Sequence, residues 1–307
     1  MNLILGVTAS GKSAVAFELA RKIGAEIISI DSMKVYRRMD IGTAKPSSER
    51  RSQVKYHLID VAEPYESFSV DKFLSLANQI LQQTRASKKH VVAVGGTAMY
   101  IKAFLYGLFE GPGADSQIRQ RLKAQIDSQG PAELHRQLTG VDPESAQRIH
   151  PNDARRIVRA LEIFELTGKP ISSFQTQFEA GRIPEDWKVI GIRREKSVEN
   201  LRINARVKLM IKNGLVDEVK SLLAEAKPLS EQARSAIGYA EIIDYLEGKM
   251  TLEKAVEKIK INTRRLAKAQ RTWFKTFKDV SWLDIAEDEP ANEIMDRAIE
   301  LLEVMKQ

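Results

Sequence analysis

The chain has 307 residues, 43% of them hydrophobic, and no cysteine, which excludes disulfides, thiolate metal sites and a cysteine nucleophile. Lysine and arginine outnumber aspartate and glutamate 48 to 41; the net charge of +7 and isoelectric point near 9.4 favour polyanionic partners. No stretch of about 20 apolar residues occurs, so the expected location is the cytoplasm with no membrane contact, and His57, His90, His135 and His150 lack metal-ligand spacing.

The first predicted strand is Leu3–Leu5. It runs into Gly6-Val7-Thr8-Ala9-Ser10-Gly11-Lys12-Ser13, a complete G-x-x-x-x-G-K-S loop, and a helical pattern follows over Ser13–Ile23. Such a strand-loop-helix unit wraps backbone N–H groups around phosphate oxygens, adds a helix N-terminus and one lysine, and leaves the last hydroxyl for Mg²⁺. The ligand therefore carries a di- or triphosphate. Glu26–Ile30 predicts the second strand and delivers Asp31 to its carboxyl end, facing the phosphate loop. There Asp31 could take a proton from a nucleophile, hold Mg²⁺ through water, or only cap a turn; position alone leaves all three open. The stretch Asp31–Pro46 is dense in polar side chains, and long polar loops of this kind usually bind something.

Farther along, His57–Ile59 reads as a strand, Val70–Ser87 as a helix and Val91–Val94 as a buried parallel strand. Gly95-Gly96-Thr97-Ala98-Met99-Tyr100 then opens a helix over Thr97–Tyr106. Its amides and the Thr97 hydroxyl can face a substrate, although a tight strand-to-helix turn needs glycine in any case. This alternation predicts an α/β fold: a parallel-sheet core of the phosphate-loop NTPase type, flanked by helices. Ligands of such sheets bind outside the carboxyl ends of the strands, where the phosphate loop, Asp31-Ser32 and Gly95–Thr97 all fall.

Ile118–Ile171 turns helical, punctuated by Pro131, Pro143 and Pro151, and reads as a helical insertion. His150, just before Pro151, is expected to hydrogen-bond within a loop. In Asn152–Arg159, Arg155 and Arg159 share a face at i,i+4 spacing beside Arg156, a pattern that suits phosphate. Lys188–Ile192 is apolar enough to return to the sheet, and Ser197–Lys278 reads as successive amphipathic helices. The division predicted is a core of residues 1–126 and 191–307 with an insertion at 127–190. Between Lys254 and Lys278 lie Lys258, Lys260, Arg264, Arg265, Lys268, Arg271 and Lys275 with Glu257 as the only acid, and Trp273, Phe274 and Phe277 sit among them. That segment is either a solvated face or a surface for single-stranded RNA, whose bases stack on aromatic rings.

The loop GVTASGKS, the runs DSMKVYRRMDIGTAKP and YHLIDVAEPYESFSV, GGTAMY, IHPNDARRIVRALEIFELTGKP, GLVDEV and AIGYAE stand in the order found in bacterial tRNA dimethylallyltransferases, and nearly the whole chain resembles that family. The resemblance implies transfer of a dimethylallyl group from dimethylallyl diphosphate to N6 of adenine 37, beside the anticodon of tRNAs that read codons beginning with U. The products are N6-dimethylallyladenosine and diphosphate. It implies that the loop Gly6–Ser13 binds diphosphate, not ATP, with Ser10, Lys12 and Ser13 holding diphosphate and Mg²⁺. Asp31 would take the N6 proton, Thr97 would orient the diphosphate or the adenine site, and Arg206 would be a second diphosphate ligand. Implied tRNA contacts come from Asp31-Ser32-Met33-Lys34, Thr97, Arg119, Arg155-Arg156-Ile157-Val158-Arg159, Arg234, Gly238, Tyr239, Lys268, Arg271, Trp273 and Lys275. The implied partners are the anticodon stem-loop and dimethylallyl diphosphate, taken up by a monomer.

Several positions depart from the family pattern: Val7 where proline is usual, Lys34 where glutamine is common, Ala98 and Met99 in GGTAMY in place of GGTGLY, and Ala269 and Arg271 where a basic and an apolar residue are common. An ammonium at position 34 lacks the acceptor that an amide would offer adenine. The lack of cysteine excludes the C-terminal zinc finger of eukaryotic relatives. Two other functions share the phosphate loop. A small-molecule or nucleotide kinase would use it on ATP with a strand-end aspartate as base, and an NTP-switched RNA-binding protein would hydrolyse nucleotide without modifying RNA. The DSMKVYR run and the aromatic-basic helices speak against a small acceptor.

Overall fold

The computed structural model describes residues 1–107, 111–178 and 186–304. The chain divides into two compact units, Met1–Leu105 with Ile183–Gln307, and Tyr106–Arg182. The first unit begins β1 (Asn2–Gly6), α1 (Lys12–Ile23), β2 (Glu26–Ile30), α2 (Ser48–Gln53), β3 (Tyr56–His57), α3 (Val70–Ala86), β4 (Val91–Gly95) and α4 (Ala98–Tyr106). The second holds α5 (Ser116–Gln129), α6 (Pro131–Val141), α7 (Pro143–Arg148) and α8 (Ala154–Thr167). The chain then returns through β5 (Lys188–Arg194), α9 (Lys196–Lys212), α10 (Leu215–Leu223), α11 (Glu231–Arg234), α12 (Tyr239–Leu246), α13 (Leu252–Phe274), β6 (Ser281–Ile285) and α14 (Ala291–Val304).

The strands form one parallel sheet in the order β3-β2-β4-β1-β5-β6. Its central strands are continuously apolar and buried, as a sheet covered on both faces requires; β4 is buried at every residue. In register, Leu5 lies beside Gly95, Gly6 beside Ile192 and Ile30 beside Gly95. The carboxyl ends of β2, β4, β1 and β5 are therefore neighbours along one edge. One face is closed by α1 and α14, whose Val15, Ala16, Leu19, Ile294, Met295, Ala298 and Leu302 pack with Ile4, Val92 and Ile190. Each large apolar side chain buried this way contributes about 1.5–3 kcal/mol. The amino end of the sheet carries a buried Glu26, bonded by His57 at 2.6 Å and Lys89 at 2.5 Å. Those hydrogen bonds outweigh burial and hold its carboxyl at about 2.

The α/β architecture matches the sequence reading, with two differences. β6 and α14 had no counterpart in it: Ser281-Trp282-Leu283-Asp284-Ile285 is short and mixes polar with apolar residues without a clear period, and only pairing with β5 makes it a sheet edge. The boundary of the insertion also moves. α5 belongs to the second unit because Leu122, Ile118 and Ile126 pack with Leu134, Leu138, Ile157 and Leu161. At the other end, Lys188 already pairs with Asn2, three residues before the predicted boundary at 191. His150 behaves as expected, its Nδ1 accepting from the Asn152 N–H at 3.1 Å. Among the described residues, no helix is long and apolar enough to cross a membrane.

Candidate active site

The phosphate loop leaves β1, turns through left-handed Ala9 and Gly11 (φ 65° and 99°), and enters α1 at Lys12. Val7 is buried in its base and Ser10 is fully buried. Cations hold the loop's carbonyls: Lys12 Nζ donates to Val7 O at 3.1 Å, Arg202 Nε to Ala9 O at 2.9 Å and Arg194 Nε to Ser10 O at 3.0 Å. Arg206, one turn after Arg202 on α9, donates to Thr8 Oγ1 at 3.2 Å. Burial, then the nearby charges of Lys34 and Arg206, push the Lys12 amine down to about 7, with Asp31 opposing the shift. Burial likewise lowers Lys34 and Arg206 from their usual ranges. An anionic ligand would relieve this concentration of positive charge, because two phosphate groups supply the counter-charge that the loop lacks.

Asp31, at the end of β2, accepts from the N–H groups of Met33 and Lys34 through Oδ1, at 2.9 and 3.1 Å. The Ser32 N–H donates to Thr97 Oγ1 at 3.1 Å. These bonds fix the turn Asp31–Lys34 to the start of α4. Asp31 Oδ2 has no hydrogen-bond partner among the described residues, so one oxygen shapes the turn and the other is available for chemistry. Ser13 is exposed at the N-terminus of α1 and bonds no other described side chain. Among the described residues, no group of three or more His, Asp or Glu side chains could hold a metal by itself. A divalent ion here would need the donor set typical of Mg²⁺, one protein hydroxyl with phosphate oxygens and waters, and Ser13 supplies that hydroxyl.

The polar run Asp31–Pro46 spends most of its polarity on its own fold. Lys45 is buried, with Nζ bonded to Tyr36 O at 2.5 Å and paired with Asp40 and Asp60 at 2.6 Å. The Glu218 carboxylate, on α10, accepts from the N–H groups of Asp40, Ile41 and Gly42 at 2.9, 2.7 and 3.1 Å, and from the Tyr239 hydroxyl at 2.6 Å. A Cβ on Gly42 would lie 2.4 Å from the Tyr239 ring, so only glycine admits this packing. Three distant sequence motifs, MDIGTAKP, GLVDEV and AIGYAE, thus build one junction. A groove of about 560 Å³ runs between residues 40–51 and α9, with Ile41, Leu209 and Met210 as apolar lining and Arg206 on its wall.

The family model described as IPP transferase matches residues 34–277. The chain belongs to the IPP transferase family. It is 45% identical over 282 residues to the tRNA dimethylallyltransferase of Geobacter metallireducens, covering 92% of this chain and 91% of that one. It is 41% identical over 306 residues to the tRNA dimethylallyltransferase of Caldanaerobacter subterraneus, covering 98% and 96%. Among solved structures, the tRNA isopentenylpyrophosphate transferase of Bacillus halodurans superposes with a TM-score of 0.73 at 38% identity, over 99% of this chain and 96% of that one. A eukaryotic dimethylallyltransferase described as acting on tRNA superposes at 0.79 with 25% identity, over 99% and 79%.

Against the residues that the family resemblance carried over, the fold draws a clear division. Gly6–Ser13, Asp31–Lys34, Thr97 and Arg206 gather at the carboxyl edge of the sheet. On α13 Lys268 is exposed and Trp273 half-buried, Lys275 just after the helix is exposed, and Arg271 is paired with the buried Glu199. On α8, Arg155 and Arg156 are exposed, but Ile157 and Val158 are buried in the second unit's core and their side chains cannot touch a ligand. Arg119 and Arg159 both bind the fully buried Glu162, at 2.8 and 2.6 Å, and so serve that unit's packing. Arg234 is paired with Glu247. The Gly238 N–H is taken by Glu241 at 2.7 Å, and Tyr239 is fully buried with its hydroxyl on Glu218, so both belong to the packing of the junction. Four site residues were not singled out by the sequence: Arg194, Arg202, Glu218 and Gln270. Arg202 carried a signal, its i,i+4 spacing from Arg206; the other three are placed only by long-range contacts.

Proposed function

We propose that this IPP transferase transfers the dimethylallyl group of dimethylallyl diphosphate to N6 of adenine 37 in tRNAs that read codons beginning with U. A bond forms between N6 and the allylic carbon, the bond from that carbon to diphosphate breaks, and the N6 proton passes to Asp31. The observation that carries this reading is the meeting of a cation-ringed phosphate loop with a half-free Asp31 carboxylate at one sheet edge, in a chain of this family. Lys12, Arg206 and the loop amides would stabilise the charge that develops on the leaving diphosphate, being in place before it forms. Thr97 and Ser32 would hold the turn that presents Asp31. Where bound, Mg²⁺ would be held by Ser13 and would neutralise diphosphate charge. The groove beside Arg206 would offer Ile41, Leu209 and Met210 as apolar surface for the allyl group.

The target base must leave the anticodon stack, at a cost of a few kcal/mol that other contacts offset. In the first unit Lys268 and Trp273 on α13 and Lys275 just after it, and in the second unit Arg155 and Arg156 on α8, would each supply contacts for that purpose. The proposed acting form is a monomer. The test is mass spectrometry of nucleosides from unmodified tRNA bearing A36 and A37, incubated with the protein, Mg²⁺ and dimethylallyl diphosphate, beside a reaction given only ATP. N6-dimethylallyladenosine in the first reaction alone is the expected result. Its absence, with ATP consumed instead, would overturn the reading in favour of a kinase or ATPase.

A further inference from the structure

Gln270 belongs to α13, the helix that carries the basic and aromatic residues, yet its own side chain is buried at 8% exposure. Its Oε1 accepts from the Thr8 N–H in the phosphate loop at 2.8 Å, and its Nε2 donates to Gly96 O in the turn after β4 at 2.8 Å. One amide thereby spans the two neighbouring strand ends. On one side stands the loop that would hold diphosphate. On the other stands the turn whose Thr97 holds Ser32 and, through it, the Asp31 turn. The bond to Gly96 O is buried and that from the Thr8 N–H partly so, both have near-ideal length, and no apolar side chain of this volume could make either.

The surroundings are built to admit this bridge. A Cβ on Gly96 would lie 2.8 Å from Gln270 Nε2, so a larger residue there would push the amide away. Glycine at this position is explained by the approach of Gln270 and not only by the tightness of the turn. Beyond the bridge, α13 is fastened to α9 by Arg264 on Asn204 at 2.7 Å and by Arg271 on Glu199, and α9 in turn holds the loop through Arg202 and Arg206.

We infer that Gln270 is a positioning residue that sets the separation between the phosphate loop and the Gly95–Thr97 turn, and so between the diphosphate-bearing carbon and the base Asp31. This inference rests on the transferase reading for its kinetic consequence but not for its geometry. Misplacing two reacting groups by about 1 Å costs on the order of a hundredfold in rate, whereas binding of either partner alone needs no such register.

The experiment compares wild type with Gln270→Met, which keeps the volume and removes both hydrogen bonds, and with Gly96→Ala, which displaces the same amide from the other side. Single-turnover rates, equilibrium affinities for the anticodon stem-loop and for dimethylallyl diphosphate, and amide hydrogen exchange of the phosphate-loop peptide are measured for each. Expected is a fall of about 30- to 100-fold in the single-turnover rate in both variants, with both affinities within about threefold of wild type and faster exchange at Thr8. A rate within about threefold of wild type in either variant would overturn the inference, as would a loss of tRNA affinity equal to the loss of rate. If the wild-type chain itself makes no dimethylallyladenosine, the transferase reading fails, and exchange at Thr8 still decides whether Gln270 clamps the loop.

Discussion

The low affinity of Lys12 for its proton makes the phosphate loop a site whose charge depends on its ligand. With its amine at about 7, Lys12 is about nine-tenths neutral at pH 8 before an anion arrives, and pairing with diphosphate restores the ordinary lysine range. Binding at pH 8 should therefore take up about 0.9 proton, and between pH 7.5 and 8.5 the affinity should fall about eightfold, or about 1.2 kcal/mol, as the protonation must be regained at each pH. Over that window a phosphate ester is already fully ionised, so the dependence comes from the protein. The assay is calorimetric titration with dimethylallyl diphosphate in two buffers of different ionisation enthalpy, with a stem-loop whose position 37 is purine bound throughout to prevent turnover. Lys12→Gln should bind more weakly and show clearly less uptake and a shallower slope, Lys34 being the remaining lowered amine nearby. Equal uptake in Lys12→Gln, or none in wild type, would refute the reasoning. The sign for stability follows from the same shift: the unfolded chain holds this proton up to about 10.4 while the folded chain releases it near 7, so this group's contribution to stability rises with pH between those values.

Asp31→Asn keeps the acceptor for the Met33 and Lys34 amides and removes the base, so turnover should fall about 10²- to 10⁴-fold with stem-loop affinity within a few-fold; turnover within tenfold of wild type would take Asp31 out of the base role. Arg155→Ala should weaken tRNA binding and reduce the slope of log affinity against log salt by about 1, because Arg155 is exposed and makes no ion pair among the described residues. An unaltered slope would make it a structural residue. Glu218→Ala strips the acceptor from three amides and the buried Tyr239 hydroxyl, and should lower the first unit's urea-unfolding free energy by about 3–5 kcal/mol. A change below about 1 kcal/mol would show that water replaces the carboxylate without loss.

The residues Gly6–Ser13 determined their own conformation and chemistry, because a phosphate cradle is local: one strand, one turn and one helix start within a few residues of each other. The buried strands β1, β2 and β4 were legible for a similar reason, since continuous apolar runs such as Val91–Val94 can be satisfied only inside a covered parallel sheet. The family motifs fixed the class of reaction before any contact was known. What the sequence could not decide is which polar residues face a ligand and which face the protein. Tyr239, Arg119 and Arg159 carry the same functional groups as exposed RNA-binding residues, and only the burial of Tyr239 and the Glu162 carboxylate beneath the two arginines give them to the fold. Gln270 lies 262 residues from Thr8 and 174 from Gly96, and its role exists only because the sheet brings β1 and β4 side by side beneath α13. Local chemistry is encoded in adjacent residues; the spacing between its two halves is set by groups that meet only after the chain has folded.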